Sequence, residues 1–294
     1  MSPPQPSEQV LAAFGAQPQL TRLPGGSCVC YSDGKIVLKP SEDDEESQWI
    51  GNTLASLSTL EPSLTYRVPR PIASIQDPTR YVVDGWTAMS VLPGRNELPV
   101  RFADTFRVSQ AFHEALRKLN LEKPRFLRGR INRWSEADRV VWGEKQLSEV
   151  ANVNKEVLAV FEESLKEYEK LTRPLPSGVT CQLIHGDLMG NILFDDEAGG
   201  PPGIIDMTFY WRPAAYAEAI VVADGLAWYK HGRELIELYG TGETRLQLLV
   251  RALHWRCLTF CIDPIVDWVR ANIPKVDFIG AARLLREVID EESR

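Results

Sequence analysis

Leu183-Ile184-His185-Gly186-Asp187-Leu188-Met189-Gly190-Asn191-Ile192-Leu193-Phe194, followed further on by Ile204-Ile205-Asp206, decides how this chain is read. Two short apolar runs, Thr180 to Ile184 and Gly203 to Ile205, each lead into residues able to do chemistry. The first leads into His185-Gly186-Asp187 and the second into Asp206. Apolar runs this short, bounded by turn residues, read as strands. Asn191 follows Asp187 by 4 residues, and Asp206 follows Asn191 by 15. That interval holds two short antiparallel strands and a turn, and Asp195-Asp196-Glu197-Ala198-Gly199-Gly200 supplies the turn. A lone His-Gly-Asp is usually a turn, and Asp-x₃-Asn arises by chance. The whole succession is much rarer, because several context requirements must be met together.

Working outward, the first third of the chain reads as strands. Leu20 to Tyr31 is broken by Leu23-Pro24-Gly25-Gly26-Ser27, and Lys35 to Lys39 is a short β-branched run after the turn signal Asp33-Gly34. Ser41-Glu42-Asp43-Asp44 supplies a cap and an acidic first turn for a helix in which Ile50, Leu54 and Leu57 recur at helical spacing. Tyr81 to Val83 and Trp86 to Leu92 read as strands joined by Asp84-Gly85, and Pro93-Gly94 stops the second. From Asp104 the period turns helical. Val108, Phe112, Ala115 and Leu119 share one face, as do Leu158, Phe161, Leu165 and Tyr168. Glu136 to Val150 is a further candidate helix, and Ala214 to Glu291 reads as a group of helices.

The central segment resembles the catalytic loop of the aminoglycoside phosphotransferase and choline kinase group, which shares the protein-kinase fold. That group carries His-Gly-Asp, an Asn four residues on, and a hydrophobic strand ending in Asp. The resemblance implies an α+β, two-lobed kinase-like fold. A small β-rich nucleotide-binding lobe would span residues 1–93, and a larger helical lobe for catalysis and acceptor binding would span 94–294. It implies a reaction in which ATP and an acceptor hydroxyl give a phosphoester and ADP. Such a transfer needs a carboxylate to orient the hydroxyl and accept its proton, and the matching residue is Asp187. Mg²⁺ takes hard oxygen ligands and few protein groups, and the matching residues are Asn191 and Asp206. His185 would brace the loop rather than move protons.

The same resemblance assigns the first lobe. Ile36-Val37-Leu38-Lys39 looks like the strand whose lysine holds the α- and β-phosphates. Gly25, Gly26 and Ser27 resemble a shortened glycine-rich loop, in which glycine lets the backbone approach phosphate oxygens; an ordinary hairpin turn is the other reading. The lysine's expected partner is Glu46, which shares a helix face with Ile50 and Leu54, whereas Glu45 aligns with Trp49. The interval from Lys39 to Glu46 is shorter than usual for this fold, and a solvated acidic turn remains open. Met89-Ser90-Val91-Leu92-Pro93-Gly94 corresponds, by position only, to the segment between lobes, which would place Ser90 and Leu92 against the adenine edge; a strand followed by a turn is the other reading.

The resemblance thins after Asp206. Where the antibiotic kinases typically carry Asp-Pro-x-x-Asp, this chain has Arg212-Pro213-Ala214-Ala215-Tyr216. The supporting hydrogen bonds there must differ, which argues against a standard aminoglycoside-resistance enzyme. Phe209-Tyr210-Trp211-Arg212 could bind a planar, apolar or anionic acceptor, or could pack the lobe, the preferred reading. Arg125, Arg128, Arg130 and Arg133 form a basic run, read as a solvated loop in preference to an anion site. His113, His231 and His254 are read as packing or surface residues.

Composition bounds the rest. The 294 residues are 44% hydrophobic and 25% charged, ordinary for a globular chain. A net charge of −7 makes nucleic acid or an anionic membrane an unsuitable main partner. No apolar run reaches bilayer length, and Met1 to Glu8 does not read as a signal peptide. Five scattered cysteines suit reduced thiols in a cytoplasmic protein, not a disulfide framework or zinc site. The main expectation is therefore a cytoplasmic, Mg²⁺- and ATP-dependent small-molecule kinase. The alternative, a catalytically silent kinase-like nucleotide-binding or interaction module, would be expected to have lost Asp187, Asn191 or Asp206, and none is lost.

Overall fold

The computed structural model describes residues 5–23, 29–60, 62–96, 100–197 and 199–294. Gly25, Gly26 and Ser27 lie outside the described residues. The chain forms two compact units. The first comprises residues 1–100, 114–120 and 190–207, and the second comprises 101–113, 121–189 and 208–294.

The first unit is built on a five-stranded antiparallel sheet. In spatial order its strands are Thr21–Arg22, Tyr31–Ser32, Ile36–Pro40, Trp86–Ser90 and Val82–Val83. The turn chemistry read from the sequence operates at both hairpins. Asp33 Oδ1 accepts from the Lys35 and Ile36 N–H groups, and Gly34 takes φ +91°. Asp84 and Gly85 both have positive φ, as a two-residue turn matching strand twist requires. The strand read as reaching Leu92 ends instead at Ser90. A helix not expected from the sequence, Glu8–Phe14, is capped by Ser7 and ended by Gly15 at φ +69°. It covers one sheet face, where Val10, Leu11, Phe14, Tyr31, Leu38 and Trp86 form the core. Since alternate residues of a strand face opposite ways, burial of Leu38 sends Lys39 to the other face.

Helix Asp44–Leu57 follows as expected, with the Asp43 carboxylate accepting from the Glu46 N–H. The strands Ile192–Leu193 and Gly203–Ile204 form a small hairpin in this unit. Two backbone segments hold it. Arg95 and Phe194 exchange two N–H···O bonds of 2.9 Å, and Ile204 N–H donates to the Arg67 carbonyl at 2.8 Å. Gly94 beside them has φ +114°, and a Cβ there would sit 2.7 Å from the Phe194 carbonyl oxygen, so this close crossing requires glycine.

The second unit is mostly helical. Helix Glu243–Ile262 is buried on nearly every side and packs against Ala215–Ala227, Arg133–Val141, Glu162–Leu171 and Phe278–Glu292. The expected continuous helix through Leu158 and Tyr168 is two helices, Lys155–Val160 and Glu162–Leu171, broken at Phe161. The expected helix from Glu136 to Val150 is also interrupted. It ends at Val141, and Gly143 takes φ +70° before a short 3₁₀ turn at Leu147–Glu149. Strand Gln182–His185 pairs with Phe209–Arg212, the run whose strand character the sequence reading missed. Among the described residues no helix is long and apolar enough to cross a membrane.

Candidate active site

In the first unit, Lys39 and Asp206 stand 167 positions apart in sequence and form an ion pair, Lys39 Nζ to Asp206 Oδ1. Both side chains are more than a third exposed. Asp206 follows directly on the hairpin and takes φ +55°, a left-handed conformation that few non-glycine residues adopt. Held strain of that kind, roughly 1–2 kcal/mol, is a pointer to function. The hairpin register extends one step beyond its last pair, with Ile205 N–H donating to the Asn191 carbonyl at 3.0 Å. Asn191 and Asp206 thus belong to the same end of the hairpin. Glu46 lies in the first turn of helix Asp44–Leu57. Ser90 is locked in the sheet margin, its N–H donating to the Arg70 carbonyl and its hydroxyl accepting from the Arg70 N–H. Leu92 lies against Gly203, where an added Cβ would meet its side chain at 3.0 Å.

In the second unit, Asp187 sits in the turn that leaves strand Gln182–His185. Its backbone N–H donates to His185 Nδ1 at 3.1 Å, and the Gly186 N–H donates to the Thr208 carbonyl at 2.8 Å. Gly186 is required by packing, because a Cβ there would fall 2.3 Å from the Tyr210 ring. His185 is fully buried, and its backbone N–H donates to His113 Nε2 at 3.0 Å. That bond leaves His113 Nε2 without a proton, so in the neutral ring Nδ1–H donates to Ser109 Oγ at 3.1 Å. Burial, with His185 close by, pushes His113 down to about 3, which keeps the ring neutral. His185 Nδ1 thus accepts from the backbone of the turn that it precedes. His113, read as a packing or surface residue, is the support behind it.

Arg256 is the other residue the sequence reading missed. Its Nη2 contacts Asp187 Oδ1 at 3.2 Å and Asp224 Oδ2 at 2.7 Å. Burial disfavours the charged guanidinium, yet Asp224 and Asp187 hold it firmly protonated. The Asp-Pro-x-x-Asp departure is also explained. Arg212 donates to Asp138 Oδ2 at 2.5 Å and to Glu144 Oε1 at 2.6 Å, and lies over the Trp142 ring. An arginine-centred cluster occupies that part of the unit. Phe209, Tyr210 and Arg212 are buried, which supports packing over an acceptor surface for that run. The basic run is not simply solvated, since Arg130 donates to the Phe209 carbonyl and Arg133 pairs with Asp263.

A sequence model of the phosphotransferase enzyme family, APH, matches residues 31–224. The chain belongs to this family. The match contains Lys39, Asp187, Asn191 and Asp206, the residues whose geometry is described above. Three solved structures of similar fold bring out the same relationship. The amicoumacin kinase hAmiN, in complex with AMP-PNP, Ca²⁺ and Ami, is 15% identical, with 97% of this chain and 92% of that one covered at a TM-score of 0.60. The phosphotransferase APH(2")-IIia, in a GDP and kanamycin complex, is 13% identical over 96% and 97% of the two chains, TM-score 0.56. An aminoglycoside phosphotransferase from Alicyclobacillus acidocaldarius is 16% identical over 99% and 98%, TM-score 0.54. At such identities the likeness is one of fold, and it makes the α+β, kinase-like architecture of this family member plain. No curated protein sequence matches the chain.

Proposed function

We propose that this phosphotransferase moves the γ-phosphoryl group of ATP to a hydroxyl of a small-molecule acceptor in the cytoplasm. The observation that carries the reading is the Lys39–Asp206 ion pair. Two residues assigned separately, one to phosphate and one to metal, lie 167 positions apart in the chain and meet at strand ends. In this reading Lys39, steadied by Glu46, would bind phosphate oxygens, and Asp206 would hold a metal ion. The donor set fits Mg²⁺: one carboxylate and one amide oxygen, from Asp206 and Asn191, are hard ligands that leave room for water and phosphate. Bound there, Mg²⁺ would offset the charge of the phosphate oxygens. Gly25, Gly26 and Ser27 would cover the phosphates, with Ser90 and Leu92 toward the base. Asp187 would orient the acceptor hydroxyl and take its proton as the oxygen attacks.

Two of the proteins of similar fold were captured with nucleotide, one with AMP-PNP, Ca²⁺ and Ami and the other with GDP and kanamycin. The test is therefore ATP and GTP consumption with Mg²⁺ across hydroxyl-bearing metabolites and antibiotics. Wild type should consume nucleotide in an acceptor-dependent way, and Asp206→Ala should abolish the Mg²⁺-dependent rate. Undiminished turnover by Asp206→Ala would overturn the reading.

A further inference from the structure

Arg256 stands within helix Glu243–Ile262, 69 residues away from Asp187 in sequence, with its side chain only 8% exposed. The Asp187 side chain, by contrast, is 43% exposed. An exposed carboxylate on a turn samples several rotamers, whereas productive transfer needs one. The Arg256 guanidinium is one group in contact with this carboxylate. It is planar and rigid, and groups other than Asp187 secure its position. Asp224, buried in helix Ala215–Ala227, takes the tighter bond, 2.7 Å against 3.2 Å. The guanidinium lies over the rings of Trp255 and Trp134, at 4.7 and 5.3 Å from their centroids. Trp255 is itself tied down, its Nε1–H donating to the Trp134 carbonyl at 2.8 Å. The guanidinium is thus anchored before Asp187 is considered. Its longer bond to Asp187 steers that carboxylate without sequestering it.

We propose that Arg256 is a positioning residue for phosphoryl transfer, a guanidinium fixed by Asp224, Trp134 and Trp255 that sets the rotamer of the Asp187 carboxylate. The proposal rests on the assignment of Asp187 made under Proposed function. Placing a reacting group in advance is worth on the order of 10²-fold in rate when it is lost. The loss should fall on kcat, because nucleotide binding uses other residues.

A double-mutant cycle tests this, with Mg²⁺·ATP as the probe and water as the acceptor, read as ADP release. Arg256→Met should lower kcat by about 10²-fold while the KM for ATP changes by less than about twofold. Added to Asp187→Ala, it should cost nothing further, since no carboxylate is left to position. Arg256→Lys, which keeps the charge but not the planar fork, should recover part of the rate. It also serves as the readout if the methionine variant does not fold, again with no added loss in the Asp187→Ala background. Losses that multiply in the double variants, or an unchanged kcat in Arg256→Met, would overturn the proposal. Full turnover by Asp187→Ala alone would instead remove the assignment of Asp187 itself, so the two failures are distinguishable.

Discussion

Two cation–aspartate pairs of this phosphotransferase differ in burial. Lys39 and Asp206 are 39% and 38% exposed, whereas Arg256 and Asp224 are 8% and 9% exposed. A half-exposed pair is screened by water and contributes ~0–1 kcal/mol. It can be opened cheaply, which would suit the exchange of partners proposed for these two residues. A buried pair strongly resists losing one member, because the other is left as an uncompensated charge. Such a pair suits residues that must hold geometry. The first unit thus carries the Lys39–Asp206 pair near the surface, and the second holds Arg256 with Asp224 inside. Arg212 with Asp138 belongs to the locked kind, their side chains being 7% and 6% exposed.

The contrast can be broken at either end. The largest effect on folding should come from Asp138→Ala, which strands the Arg212 guanidinium beside Trp142 with Glu144 as its remaining carboxylate. A loss of about 3–5 kcal/mol in denaturant unfolding is expected, and a loss below ~1 kcal/mol would show that this cluster is not locked.

An intermediate effect should appear with pH. His113 is pushed down to about 3 and His254 to about 4, by burial first and by neighbouring His185 and Arg251 second. Both folded-state values lie below the ordinary value near 6.5, so acid favours the unfolded chain, which binds the extra protons. Their contribution is complete above pH ~6.5 and drains away as pH falls toward the folded values. Unfolding free energy measured at pH 6.5 and 4.5 should fall by about 2 kcal/mol for each such histidine. His113→Gln, lacking that titration, should show a correspondingly shallower acid loss. An equal slope in the variant would contradict the neutral, hydrogen-bonded ring.

The smallest effect on folding should come from Lys39→Met. It should change unfolding free energy by less than ~1 kcal/mol while weakening nucleotide binding measured by calorimetry. A large stability loss would place Lys39 with the locked pairs and remove the contrast.

How much of this was legible in the sequence depended on whether the signal was local. His185, Asp187, Asn191 and Asp206 lie in one stretch and could be read together with their strands. Asp33-Gly34 and Asp84-Gly85 named their own turns through backbone preference. The helix at Glu8–Phe14 was missed behind a polar, proline-containing start, although Ser7 and Gly15 are ordinary cap signals. Phe161 interrupts a run whose apolar spacing continues across the break, so periodicity could not show it. Arg256 and His113 were missed for a different reason. Their partners are 69 and 72 residues away from them in sequence, and helix packing alone brings the groups together. The available hint was an arginine at 251 and another at 256 inside a helix otherwise apolar on most faces. A charge in that setting requires a buried partner.

The central claim is that Asp187 directs a phosphoryl group to an acceptor oxygen. Its most direct test is detection of the phosphoester by ³¹P NMR, with Mg²⁺·ATP and the acceptor panel, comparing wild type with Asp187→Ala. The account predicts a new phosphoester signal with at least one acceptor, formed about 10²–10⁴ times more slowly by the variant. Equal rates for the two proteins would contradict it.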